Sequence, residues 1–203
     1  MVDSSMDDTP NIVSQRFVQV TLVHRQQQNF AAEARNIGIE HASGGMVAFM
    51  DADCVADSGW IDAIVASQRQ KYPAVGGAIN LDSTTTIAGA TLFGIDLSES
   101  GAGSPRRRIR RLPSCNLAVK RASLEAYGSF PTEIQASEDI LFTRRLMERS
   151  GARVWFNPQM RIRHGNRNIL AELRDKLVTL GCWSGRSRAS GLLPDAVAKA
   201  SSG

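Results

Sequence analysis

The sequence is short of the residues that would staple a fold together. It has three cysteines, Cys54, Cys115 and Cys182, and their linear spacing matches neither a zinc motif nor a disulfide framework. They read as reduced thiols. No apolar run approaches the ~18 residues that cross a bilayer. The N-terminus, Met1-Val2-Asp3, lacks the basic-then-apolar layout of a secretory leader, so a cytoplasmic protein is expected. Aromatic residues make up only 6% of the chain. None are interleaved with the basic residues in the way a nucleic-acid stacking platform requires, so no nucleic-acid partner is expected. No internal repeat is present.

What remains has ordinary globular composition. The 203 residues are 42% hydrophobic and 22% charged, enough for one domain with a sizeable core. The net charge of +4 hides an asymmetry. Residues 1–103 carry 5 Lys+Arg against 12 Asp+Glu, whereas residues 104–167 carry 14 against 5. Arginine outnumbers lysine 20 to 4, and its planar fork grips phosphates and carboxylates through paired hydrogen bonds. An acidic half beside an arginine-rich half can hold a metal ion and a phosphorylated ligand between them. Solvated faces of unlike charge would produce the same count.

Hydrophobic periodicity supplies the elements. Arg16 to His24 alternates in period two and predicts a strand. Asn29 to Ala42 has helical spacing, with Asn29 placed to cap it. Met46 to Met50 is a continuous apolar run, the pattern of a strand buried on both faces. Asp57 to about Gln70 predicts a helix, and Ala74 to Leu81 a strand whose Gly76-Gly77 pair permits close backbone approach. Thr84 to Leu97 is weakly helical, Leu112 to Val119 extended, and Arg121 to Tyr127 a short helix closed by Gly128. Ser137 is placed to cap a strong helix that Gly151 ends. Arg153 to Ile162 is extended, with Pro158 favouring an edge or a bulge, and Ile169 to about Leu180 is a last helix. The serine- and alanine-rich residues from Ser184 predict a frayed end, leaving residues 1–188 as the domain and 189–203 as a tail. Alternating strands and helices predict an α/β fold with a mostly parallel sheet, whose ligands bind beyond the carboxyl ends of its strands.

Chemistry concentrates at three places. Asp51-Ala52-Asp53 follows the apolar run and sits at such a strand end. Carboxylates there can share a hard cation such as Mg²⁺ or Mn²⁺ with substrate phosphates, although a solvated turn carries the same residues. Glu138-Asp139 opens a helix, where acids are favoured by the helix dipole alone and where a general base could equally stand. His164 follows a strand and can be either a metal ligand or a satisfied histidine. Arg106, Arg107, Arg108, Arg110 and Arg111 form a basic cluster that can contact phosphate or anionic lipid.

In this order the motifs resemble glycosyltransferase family 2, inverting enzymes with the GT-A nucleotide-diphospho-sugar fold. Residues Met1 to Thr9 are similar to the family's second strand and its Asp-rich nucleotide loop, and Ala34-Arg35-Asn36-Ile37-Gly38 to its Ala-Arg-Asn helix. Gly45 to Cys54 resembles its Asp-x-Asp strand, and Ser114 to Arg121 its acceptor-side strand. Gly128-Ser129-Phe130, Ser137-Glu138-Asp139 with Arg144, Asn157-Pro158 and His164 resemble its later motifs. The resemblance covers about residues 1–188. It implies that Asp3 bonds the nucleotide base, Arg35 lies near diphosphate or ribose, and Asp51 contacts the nucleotide-sugar. It further implies that Asp53 ligates Mg²⁺ or Mn²⁺, with His164 as a second ligand. Asp139 would be the catalytic base, with Glu138 beside it on the acceptor side. The implied donor is a sugar of UDP or GDP, and the acceptor a glycan or a lipid-linked group. The arginine cluster would then give peripheral contact with an anionic membrane face.

The sequence departs from the family pattern in three ways. The family's first strand, which ordinarily lies beside the Asp-x-Asp strand, has no counterpart here, and the sheet is expected to be open at that place. Ser4 stands where many members have a second Asp. The Gln-x-x-Arg-Trp signature of processive synthases is absent, which favours transfer of single sugars. A nucleotidyltransferase would need a glycine-rich basic loop near the N-terminus, and the sequence has none. A non-catalytic module binding anions or nucleotides is the alternative to an enzyme.

Overall fold

The computed structural model describes residues 1–26, 30–82, 86–97, 100–101, 108–109, 111–165 and 170–192. Its strands are β1 (Val2–Asp3), β2 (Val23–His24), β3 (Met46–Phe49), β4 (Cys54–Ala56), β5 (Ala74–Leu81), β6 (Arg108–Ile109), β7 (Leu117–Lys120) and β8 (Val154–His164). Its helices are α1 (Thr9–Arg16), α2 (Ala31–His41), α3 (Trp60–Gln68), α4 (Ile87–Asp96), α5 (Arg121–Tyr127), α6 (Glu138–Ser150) and α7 (Leu170–Ala189). A 3₁₀ turn at Ser114–Asn116 leads into β7.

Six strands form one sheet in the order β3-β7-β5-β8-β4, with β6 also paired to β8, while β1 and β2 form a separate parallel pair. The α/β architecture is as expected, but the sheet is mixed. β5 and β8 run parallel, and every other pairing within the large sheet is antiparallel. The reason lies in where the chain enters β7. It turns through Ser114–Asn116 at the end where β3 finishes, so β7 runs away from that end, antiparallel to β3.

β7 shows how the layers are filled. Leu117 and Val119 join Ala32 of α2, Val47 and Phe49 of β3, and Phe142 and Leu146 of α6. Ala118, pointing to the opposite face, packs with Ala63 and Ile64 of α3 and with Met160. This strict alternation is what the two-residue period of a strand demands. β5, with Ala74 to Ile79 all buried, lies centrally. Gly77 permits close contact with β8: a Cβ built there would lie 2.0 Å from the Met160 carbonyl oxygen and 2.4 Å from Asn116 Nδ2. The β5–β8 register shifts at Gly77/Ala78, and the residues left unpaired on β8 include Pro158. This is the bulge that the proline suggested.

Four local readings need correction. Residues Arg16 to His24 are not one strand: helix α1 runs through Arg16, and only Val23–His24 pair. Pro10 at the first turn of α1 is compatible with helix because its missing N–H would lack an intrahelical partner there. The β3 run is not buried on both faces, since Ala48 and Met50 are exposed. β3 lies at the end of the sheet, with β7 as its one strand neighbour among the described residues. Ser137 does precede α6, but its side chain makes no cap hydrogen bond and its backbone is left-handed, at φ 66°. Asn29 lies outside the described residues, and Phe30 is the N-cap of α2. The last helix continues to Ala189, past Ser184. No helix among the described residues is long and apolar enough to cross a membrane.

Candidate active site

The acidic residues converge because three elements end at one place. β3 ends at Phe49 and delivers Asp51. The chain then turns tightly, with the Cys54 N–H donating to the Asp51 carbonyl at 3.1 Å, before entering β4. β4 pairs antiparallel with the end of β8, Cys54 opposite His164, and the Gly165 N–H donates to the Asp53 carbonyl at 2.8 Å. This pairing brings Asp53 to His164, with Asp53 Oδ1 3.8 Å from His164 Nε2. α6 supplies Glu138 and Asp139 from its first turn. The left-handed Ser137 before them reverses the chain into the helix.

Arg35 ties these parts together. Its Nη2 donates to Asp51 Oδ1 at 2.9 Å and its Nη1 to Glu138 Oε1 at 2.6 Å. Burial alone would lower the guanidinium pKa. The charges of Asp51 and then Glu138, with the hydrogen bonds to both, reverse this and hold it above the ordinary arginine value. The neighbouring Asn36 bonds the Phe130 backbone twice: Nδ2 donates to its carbonyl and Oδ1 accepts from its N–H, both at 2.9 Å. Phe130 in turn lies under Arg35, 5.5 Å from guanidinium carbon to ring centroid. The Ala-Arg-Asn segment therefore holds the site with one side chain and anchors the Gly-Ser-Phe segment with the next.

Asp139 is partly buried beside Glu138. Its Oδ1 accepts from the Ile140 N–H at 2.8 Å, and its Oδ2 from the Ser114 N–H at 3.4 Å. Burial first, and the Glu138 charge second, raise its pKa to about 6, against the opposing pull of Arg111 and Arg35. A carboxyl poised there can exchange a proton near neutral pH.

A cleft of about 260 Å³ is lined by Arg35, Asp51, Arg111, Ser114, Cys115, Glu138, Asp139 and His164. A second groove, of about 550 Å³, runs from Met1 along α2 and β3 and meets the first at Arg35 and Asp51. Of the residues expected at a site, Arg35, Asp51, Glu138, Asp139 and His164 line the cleft, and Asp53 lies beside His164 at its edge. Asp3 is in β1, opposite His24. Arg106, Arg107 and Arg110 lie outside the described residues. Arg108 is in β6, opposite Trp155, and Arg111 borders the cleft near Asp139.

Sequence reasoning missed three features. Arg111 was legible only as one of a basic run. Asn116 is buried, donating through Nδ2 to the Ala78 and Met160 carbonyls and accepting from Trp60 Nε1, each at 2.9 Å. Cys54 and Cys115, 61 positions apart, come together with His164, their ligand atoms all within 4.8 Å of one another. The Cys115 thiol pKa is pushed well above the ordinary range, first by its hydrogen bond with Cys54 and then by burial. Linear spacing carries no trace of this contact.

The mixed α/β sheet, with an acid-lined cleft at its strand ends bridged by Arg35, places the chain in a class of layered α/β folds. Within that class the chain belongs to glycosyl transferase family 2, whose description matches residues 1–127. A pre-mycofactocin glycosyltransferase of Mycobacterium tuberculosis is 22% identical over 172 residues, covering 82% of this chain and 36% of that protein. The fold is similar to that of the mannosyltransferase PcManGT from Pyrobaculum calidifontis, solved with GDP-Man and Mn²⁺. The TM-score is 0.64 and the identity 23%, over 91% of this chain and 54% of that one. It is also similar to GalNAc-T7, solved with UDP, GalNAc and Mn²⁺, with a TM-score of 0.63 and 14% identity over 82% of this chain and 37% of that one. The chain thus spans about a third to a half of the length of these proteins.

Proposed function

We propose that this cleft transfers a single sugar from a nucleoside-diphosphate donor to an acceptor hydroxyl, with inversion at the anomeric carbon. The observation that carries this reading is the convergence of Asp51 and Asp139 in one cleft, joined through Arg35 and Glu138. The donor's nucleoside lies in the groove along α2 and β3, near Asp3. Its diphosphate reaches Arg35 and Asp51, where the two cavities meet. The acceptor, a glycan or a lipid-linked group, enters beside Arg111 and Asp139.

The Asp139 carboxylate takes the proton of the acceptor hydroxyl. The freed oxygen forms a bond to the anomeric carbon on the face opposite the diphosphate. The sugar–diphosphate bond breaks on the other side, and the nucleoside diphosphate leaves with the electron pair. Glu138 is a positioning residue in this scheme, since its buried carboxylate is spent on Arg35. Arg111 keeps Asp139 from being protonated still more readily.

Asp53 and His164 fit a divalent cation. The Asp53 carboxylate is half exposed and 3.8 Å from an imidazole nitrogen, at the end where phosphates would arrive. A nitrogen in the donor set suits Mn²⁺ better than Mg²⁺, which prefers oxygen and retains water. When bound, such a cation supplies neutralisation of the charge on the departing diphosphate.

The test is a transfer assay with Asp139→Ala beside the parent chain. The variant should lose about 10²–10⁴ in rate while keeping its affinity for the nucleoside diphosphate. Unchanged turnover would remove Asp139 from the mechanism.

A further inference from the structure

We propose that Cys54, Cys115 and His164 form a binding site for a thiophilic divalent cation of the zinc class at the floor of the cleft. The fold builds this site from three separate stretches of chain. Cys54 and His164 are cross-strand partners on β4 and β8, and Cys115 lies in the turn before β7. Their ligand atoms lie within 4.8 Å of one another. A tetrahedral zinc ion with sulfur at about 2.3 Å and nitrogen at about 2.0 Å needs its ligands roughly 3.3–3.8 Å apart. Binding requires them to close by at most about 1–1.5 Å.

Two sulfurs and an imidazole are a soft donor set, unlike the oxygen-rich set that Mg²⁺ or Mn²⁺ prefers. A second observation points the same way. His164 Nδ1 is buried and has no hydrogen-bond partner, a rare condition for a polar atom in a folded protein and one that a bound ion would relieve. Asp53 Oδ1 lies 3.6 Å from Cys54 Sγ and 3.8 Å from His164 Nε2, within reach of a fourth position. Three protein ligands and one adaptable position are the layout of an accessible zinc site, in contrast to a closed structural one. Cys115 and His164 line the cleft, which gives the ion its route in. Coordination replaces the two thiol protons, which pass to solvent. Because His164 and Asp53 take part in both readings, an ion held here competes with the hard cation of the transfer reaction. That consequence rests on the proposed function, whereas the binding itself does not.

The experiment is a titration of the reduced chain with Co²⁺, followed by displacement with Zn²⁺. The expected result is saturation near one ion per chain. It should bring a near-ultraviolet thiolate-to-cobalt charge-transfer band and the intense visible bands of a four-coordinate ion, both erased by Zn²⁺. Cys54→Ser and Cys115→Ser should each weaken the charge-transfer band, and Cys182→Ser, at an exposed thiol on α7, should retain it. A titration without a charge-transfer band overturns the proposal, as does a band that survives the double serine variant or vanishes with Cys182→Ser. X-ray absorption of the zinc-loaded parent chain gives a reading independent of variant folding. Two sulfur neighbours at about 2.3 Å support the site, and a shell of oxygen and nitrogen alone refutes it. Neither measurement uses donor or transfer, so it can fail while the transferase reading stands.

Discussion

Burial and the neighbouring Glu138 raise the Asp139 pKa from 3.8 to about 6, with consequences for activity and for stability. The base must be ionised, so activity should climb as pH rises through about 6. For stability the sign is opposite. A carboxyl whose folded pKa is raised favours the folded state below its unfolded pKa, and this advantage is lost as pH rises through the folded one. Asp139→Asn should therefore be more stable than the parent near pH 8 by about 1–3 kcal/mol, with the difference closing near pH 4. Urea denaturation at the two pH values checks this. Equal stability at both would mean that Asp139 is solvated. Arg35 tests the ion-pair web. Arg35→Met leaves Glu138 buried without its cation, and the loss should be on the order of 3 kcal/mol. Removing Glu138 as well, as Arg35→Met/Glu138→Leu, should recover part of it. No recovery would show that Arg35 matters through packing on Phe130.

At the scale of elements, two positions show backbone geometry serving the site. Ser137 is left-handed and uncapped, so Ser137→Gly should gain about 0.5–1 kcal/mol by relieving the backbone. A side-chain cap would make the same change a loss of a few tenths, and thermal unfolding separates the two signs. Gly77→Ala should cost about 1–3 kcal/mol or more, because the added methyl meets the Met160 carbonyl and the Asn116 amide. Gly76→Ala should cost less, since its obstacle is the end of the Leu112 side chain and not backbone. Elements with a strong local signal were legible from sequence: β5, α5 and α6 lie where periodicity and glycine punctuation place them. The misread elements were decided by tertiary context. Alternation at Arg16 to His24 implied a long strand, yet there is a partner only for Val23–His24. Apolar continuity at Met46 to Met50 implied burial on both faces, yet the strand stands at the edge of the sheet.

At the scale of the whole molecule, the site is a meeting of element ends that lie far apart in sequence. The expected acids Asp51, Asp53, Glu138 and Asp139 could be singled out because strand ends and helix starts are readable. Their mutual arrangement could not, because Arg35, 16 and 103 positions from its two partners, sets it. The Cys54–Cys115–His164 cluster was invisible for the same reason. Among the described residues β3 has β7 as its one strand neighbour, and the groove along β3 leads to Asp51, so the geometry of the sheet border is also the geometry of the proposed donor site.

The most direct test of the central claim is calorimetric titration of UDP, and then GDP, into the chain with and without Mn²⁺, using Asp53→Ala as the comparison. The account predicts binding of at least one of the two that requires Mn²⁺ and is lost in Asp53→Ala. Absence of binding to either nucleotide by the folded chain, or binding indifferent to Mn²⁺ and to Asp53→Ala, would contradict it.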